Sequence, residues 1–239
     1  MLPGRLISVA AVTLLAASAC SGLVRTTPTP TPTAALPTPT PTPVAEMVTL
    51  SVVDPAGTDE FFAEVPAGWI TITARDIADK ASFEDWVAAH PEVPHDAAAS
   101  VAEDMSIAGV SLFAFDAENA VGGFTPNLSA TWVDAPVRNF QGWLAEQATK
   151  ITKDYVLASP LEYRAWAPKG EGTLGGFIGA YRYSMKDNTG NDTALAGSQM
   201  IVPMPDGRAA VLTFTCRDDQ ADHFGPIIQA LFTSLSAHS

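Results

Sequence analysis

The chain has 239 residues, 47% of them hydrophobic and 16% charged, a composition that belongs to a globular protein and not to a disordered one. Its 13 basic and 26 acidic residues give a formal net charge of −13; residues 1–44 hold two arginines and no acid, so the remainder is formally −15. A body of that charge repels phosphate backbones and anionic headgroups, which excludes nucleic acid and favours a neutral or basic protein surface, a cation, or an uncharged lipid or glycan.

At the N-terminus Arg5 precedes an apolar run from Leu6 to Leu15, then the small residues Ala16, Ala17, Ser18 and Ala19, then Cys20. That layout directs export. The run falls well short of the ~20 residues that a spanning helix needs, so cleavage is expected in place of a transmembrane anchor. Ala17-Ser18-Ala19-Cys20 resembles the lipobox of bacterial lipoproteins, with alanine where that family usually carries leucine. The resemblance implies a lipoprotein signal peptide over residues 1–19 and a fatty-acylated, palmitate-type N-terminus at Cys20. Ordinary secretion after Ala19 is the alternative. Each buried methylene contributes ~0.8 kcal/mol and a single chain holds only marginally, so several chains on one residue make a durable anchor. The expected location is the extracytoplasmic face of the bacterial cell membrane.

From Thr26 to Pro43 the chain is almost pure Thr-Pro alternation, broken by Ala34-Ala35-Leu36. Proline at that density permits neither helix nor sheet ladder and predicts a disordered, extended spacer. At ~3.1 Å per residue it reaches roughly 55 Å, enough to lift a domain past the headgroups. Residues 20–46 are therefore read as a lipidated tether and residues 47–239 as one domain. Cys216 is the only other cysteine, so the domain gains no internal disulfide.

Within the domain, Val48–Val53 and Phe61–Val65 read as strands, followed by the turn Pro66-Ala67-Gly68 and a short strand Trp69–Thr73. Ser82 with Asp85 three residues on predicts a capping box for a helix Phe83–Ala89; Pro91 and Pro94 break the chain, and His95–Met105 forms a second helix. Strands follow at Val110–Phe115 and Leu128–Val133. Phe140, Trp143, Leu144, Ala148 and Ile151 recur at helical spacing and define one apolar face. Strands are expected at Tyr155–Trp166, Phe177–Met185 and Gln199–Met204, with Pro205-Asp206-Gly207 turning into Ala209–Cys216, all pairing as an antiparallel meander. A last amphipathic helix carries Phe224, Ile227, Ile228, Leu231, Phe232 and Leu235, with Pro226 expected in its first turn. The fold class is α+β: a twisted antiparallel sheet packed against helices.

Several segments also resemble a family. Phe61-Phe62-Ala63-Glu64-Val65-Pro66-Ala67-Gly68-Trp69, Phe124-Thr125-Pro126-Asn127-Leu128, the Gln199 strand, the Asp206-Gly207 turn, Leu212-Thr213-Phe214 and the helix ending at Ser234 are similar to the actinobacterial LpqN/LpqT lipoproteins and, more distantly, to the PsbP and Mog-type fold. The resemblance implies a non-enzymatic accessory module working with partners at the cell envelope. The segment Asp76–Met105 is longer than that family leads one to expect.

The remaining motifs read structurally. Gly170-Glu171-Gly172-Thr173-Leu174-Gly175 spells a dinucleotide fingerprint, but a strand follows it where a helix is required. Asp187-Asn188-Thr189-Gly190-Asn191-Asp192 lacks the sixth-position glycine and twelfth-position glutamate of a calcium loop and reads as a hairpin turn. Asp218, Asp219 and Asp222 suit the start of a helix, and His90, His95, His223 and His238 are too scattered for zinc. No Gly-x-Ser-x-Gly elbow occurs. Cys216 shares a strand face with Ala210, Leu212 and Phe214, which makes it a buried small hydrophobe. Trp86, on the inserted helix, is the one aromatic singled out as a partner contact, with packing onto the domain as the other reading.

The sequence thus predicts no catalytic, cofactor or metal residues and a lipid-anchored binding or accessory module with an envelope or secreted protein partner. Carriage of a lipid or glycolipid between sheet and helices is the alternative, and a hydrolase with an unrecognised site the third.

Overall fold

The computed structural model describes residues 46–54, 57, 60–157, 160–167, 173–186, 191–204 and 206–237. Cys20, the signal sequence and the tether lie outside these residues, as do 170–172, 187–190, Pro205 and His238.

The described chain runs β1 (Met47–Val53), β2 (Glu60–Pro66), β3 (Ile70–Thr73), α1 (Lys80–Ala89), α2 (His95–Ala108), β4 (Val110–Phe115), β5 (Asn127–Asp134), α3 (Phe140–Asp154), β6 (Arg164–Trp166), β7 (Gly176–Lys186), β8 (Asp192–Pro203), β9 (Arg208–Arg217), α4 (Ala221–Ser234) and β10 (Ser236–Ala237). Seven strands form one antiparallel sheet in the order β3-β4-β5-β9-β8-β7-β6, and β1-β2-β10 form a second, three-stranded sheet. The expected α+β architecture is the observed one, and β6 to β9 are the expected meander.

Alternation sorts the large sheet's side chains into two faces. One face carries Leu112, Ala114, Leu128, Ala130, Met200, Val202, Ala210, Leu212, Phe214 and Cys216, all buried against α4 and the small sheet in the main core. Phe224, Leu231 and Phe232 of α4 and Phe61, Ala63 and Val65 of β2 close that core from above. Arg208 fastens the two sheets together: its guanidinium pairs with the buried Asp54 just beyond β1 and lies over the Trp132 ring, 5.1 Å from the centroid. The opposite face is covered in two places, by α1 and α2 over Ile72, Val110 and Phe113, and by α3 over Ile201, Ala209 and Val211.

Several local expectations are corrected. α1 begins at Lys80, because the Asp79 carboxylate accepts the Ser82 amide at 2.9 Å; Ser82 is the third helical residue and not the cap. Of the strand expected over Tyr155–Trp166 only Arg164–Trp166 forms. Among its other described residues Tyr155, Leu157, Leu161 and Tyr163 pack against β7 and β8 outside any strand, so their hydrophobic pattern is satisfied by side-chain packing without a ladder. β8 starts at Asp192, seven residues before the expected Gln199, through a stretch of small residues that carries little strand signal. α4 starts at Ala221, so Pro226 lies beyond the first turn and offers no amide to the Asp222 carbonyl.

Candidate functional site

Beneath α3, the second face of the large sheet changes chemistry. The register sets Asn127 beside Thr215, Ser129 beside Thr213 and Thr131 beside Val211 on β5 and β9, with Gln199 of β8 beside Thr213. The result is a stripe of hydroxyls and amides across an otherwise apolar sheet. Asn127, Ser129, Thr131, Gln199 and Thr215 are all buried. Trp143, Gln147, Lys150, Ile151 and Asp154 of α3, followed by Tyr155, overhang the stripe and enclose a cavity of about 50 Å³ above it.

Two glycines shape the wall. A Cβ at Gly197 would sit 2.5 Å from Cζ of Tyr181, and one at Gly179 would sit 2.9 Å from both Leu161 and Tyr163. Bare backbone at these positions therefore lets the Tyr181 and Tyr163 rings lie down on the sheet. Tyr155, Tyr181 and Tyr183 then cluster, with the Tyr155 and Tyr183 centroids 4.5 Å apart.

Hydrogen bonds order part of the floor. The Tyr163 hydroxyl donates to Oε1 of Gln199, whose Nε2 donates to Oγ1 of Thr213 at 2.9 Å. Asn127 Nδ2 donates to the Thr125 carbonyl at 3.0 Å. The hydroxyls of Ser129 and Thr131 make no hydrogen bond among the described residues, which leaves donors and acceptors facing the cavity. Burial raises the Tyr163, Tyr181 and Tyr183 phenols above their ordinary range, Tyr181 also through its tyrosine neighbours, so all three stay protonated donors at physiological pH. The arrangement can grip a small uncharged group through several simultaneous hydrogen bonds against an aromatic wall.

The sequence assigns none of these residues a binding role. Their signal was visible as alternation in Asn127-Leu128-Ser129-Ala130-Thr131-Trp132 and in Leu212-Thr213-Phe214-Thr215-Cys216, but polar alternates in a strand ordinarily mean a solvent-facing side. Only the overhanging α3 turns that side into an interior.

The residues that were singled out lie elsewhere. Trp86 is 7% exposed, inside the cluster formed by α1, α2, β3 and β4. Its Nε1 donates to the Thr71 carbonyl at 2.8 Å and its ring stacks on His90. Of the two readings of Trp86 the structure has the packed one: the indole caps the open edge of β3 and is buried in the domain. Cys216 is buried in the main core, and burial pushes its thiol up to about 12. Thr173, Leu174 and Gly175 of the glycine motif lead into β7, with Leu174 N–H bound to the Leu235 carbonyl, so no helix opens there. Asp218 and Asp219 pair with Arg182 and Arg217 ahead of α4. Among the described residues no three His, Cys, Asp or Glu side chains converge as metal ligands, and no helix is long and apolar enough to cross a membrane.

The fold and cleft define a class of protein: an α+β domain whose antiparallel sheet buries one face in a core and presents a recessed polar stripe on the other. Comparison with known protein families finds no match, and comparison with curated proteins finds none. Solved structures do match. Cyanobacterial PsbP (CyanoP) from Synechocystis is 15% identical over 85% of this chain and 99% of its own, with a TM-score of 0.43. LpqN of Mycobacterium tuberculosis, described as involved in cell envelope biogenesis, is 13% identical over 81% of this chain and 92% of its own, with a TM-score of 0.44. The Ran-binding protein Mog1p of Saccharomyces cerevisiae is 11% identical over 80% of this chain and 96% of its own, with a TM-score of 0.37.

Proposed function

We propose that the chain is a lipoprotein held by Cys20 at the extracytoplasmic face of a bacterial membrane, and that its domain is a non-enzymatic binding or accessory module of the cell envelope. The observation that carries the binding role is the recessed stripe of Asn127, Ser129, Thr131, Gln199, Thr213 and Thr215 under α3. Within it the Ser129 and Thr131 hydroxyls have no hydrogen-bond partner among the described residues, and neutral hydroxyls and amides hold a ligand without moving protons at neutral pH. The N-terminal layout and the Thr-Pro spacer supply the anchor and the stand-off distance.

A second reading, carriage of a glycolipid, is favoured in one respect by the same lining. Hydroxyl and amide groups suit the hydroxylated edge of a sugar headgroup, and a cavity of about 50 Å³ admits only such an edge and no acyl chain. In this form the module would hold the headgroup and leave the chains outside.

The test uses a photo-reactive side chain at Gln147, on the rim of the cleft, in intact cells, with the mass of the membrane-extracted protein read alongside. The expected result is an acylated Cys20 and an envelope-derived adduct that disappears in a Ser129→Val, Thr213→Val double variant. A native protein with unmodified Cys20, or purified protein that hydrolyses an ester or glycoside, refutes the proposal.

A further inference from the structure

The edges of the two sheets are treated differently. On β3 the Thr71 carbonyl is taken by Trp86, and the Thr73 amide by Asp76 Oδ2 at 2.7 Å, while β6 is only three residues long. β1 is seven residues long and has β2 on one side only. Among the described residues, no backbone group of Met47–Val53 is hydrogen-bonded on the other side. Its sequence, MVTLSVV, contains no charge and no proline, the usual means of blunting an edge, and is rich in β-branched residues. Unpaired N–H and C=O groups along such a strand are a template for one more strand.

Side chains and charge narrow the occupant. Val48, Leu50 and Val52 form the inward row; Val52 is fully buried and Leu50 packs on the core, but Val48 is 39% exposed, so the apolar row has an unfinished end. The outward row of β1 lies beside Glu64 of β2, opposite Thr49, and Glu46 precedes the strand, whereas Glu60, opposite Val53, is already paired with Arg75 at 3.6 Å. Among the described residues neither the Glu46 nor the Glu64 carboxylate has a cationic partner. An added strand would lie two strand spacings, ~10 Å, from Glu64, within reach of a lysine or arginine side chain and little screened. A second copy of this chain fits poorly. It would bring a second strongly acidic body against this one.

We propose that the outer edge of β1 docks an extended segment of another protein, with alternate apolar side chains and lysine or arginine at the end that lies beside Glu46 and Glu64, which joins the small sheet through main-chain hydrogen bonds. It rests on the chain being a binding module and names the partner's chemistry; the edge lies across the large sheet from the cleft.

The test titrates the full-length protein in detergent micelles with two short fluorescent peptides that share a core of alternating valine and threonine, one ended in lysines and one in glutamates. Anisotropy reads affinity and backbone hydrogen exchange reads location. The lysine-ended peptide is expected to bind about tenfold or more tightly than the glutamate-ended one, to weaken with added salt, and to slow exchange along β1. Val48→Lys should weaken that binding about tenfold without lowering Tm, since the site is half-exposed and a lysine blunts the edge. Absence of binding by either peptide, protection away from β1, or a peptide-free dimer that protects β1 each overturns the proposal. Such a failure with the Gln147 adduct still formed leaves the cleft reading standing, and loss of the adduct with peptide binding intact does the reverse.

Discussion

Val156 ends α3 in a conformation its side chain opposes. Its φ is +51°, the one positive φ among the described residues that are not glycine. The Tyr155 amide makes the last ordinary helical bond, to the Ile151 carbonyl at 3.0 Å, and the Leu157 amide then binds back to the Thr152 carbonyl at 3.2 Å, the six-to-one closure of a left-handed helix stop that glycine usually fills. A left-handed L-residue costs about 1–2 kcal/mol, and a β-branched one belongs at the upper end. Val156 is 85% exposed, so replacing it forfeits only a few tenths of a kcal/mol of burial. Asparagine tolerates the left-handed region and adds no unfolded-state freedom, so Val156→Asn should stabilise by about 1 kcal/mol, raising Tm by roughly 2–4 °C. Glycine removes the strain but gives back about 0.4–1 kcal/mol through the unfolded chain, so Val156→Gly should gain less. Urea unfolding at constant m reads both. An asparagine variant with a lower midpoint than the native protein would show that position 156 is not strained, and glycine gaining more than asparagine would show that the unfolded-state term was misjudged.

Other perturbations follow from the same geometry. Gly197→Ala drives a methyl into the Tyr181 ring, and should cost about 1–3 kcal/mol while displacing the cleft wall, read as a lower urea midpoint together with a changed Tyr181 ring environment by NMR. Tyr163→Phe leaves Oε1 of buried Gln199 without its donor and should cost about 1–3 kcal/mol in denaturant unfolding. Cys216 should resist alkylation at pH 8 until the protein unfolds, because burial keeps its thiol protonated. Its folded pKa lies above the ordinary 9.0, so stability should fall as pH climbs from about 9 towards 12, and a flat urea midpoint across that window would contradict the burial. Asp79 has the opposite sign: the Ser82 amide hydrogen bond holds its carboxyl below the ordinary 3.8, so its contribution is present above that value and disappears as pH falls through the lower folded value. NMR titration of Asp79 with amide exchange at Ser82 checks it.

Periodicity alone determined the elements whose pattern is local. The alternation of Leu128–Val133 and of Ala209–Cys216, and the helical spacing of Phe140 to Ile151 and Phe224 to Leu235, place strands and helices where the structure has them, because each strip of apolar residues needs one face to bury. The same pattern put Cys216 among Leu212 and Phe214 in the core. It was silent, or wrong, where burial comes from elements distant in sequence. Tyr155, Leu157, Leu161 and Tyr163 alternate like a strand yet pack on the sheet outside any ladder, since Gly179 leaves room for Leu161 and Tyr163. For Trp86 the sequence leaves open partner contact or packing onto the domain, and its place against β3, fifteen residues earlier, is fixed only in three dimensions. The polar stripe is the clearest case. The sequence determined that Asn127, Ser129, Thr131, Thr213 and Thr215 share the face opposite the core, but whether that face meets water or a roof depends on where α3 lies. Only the tertiary structure decided it, because a strand's alternation records which residues face together and carries no record of what covers them.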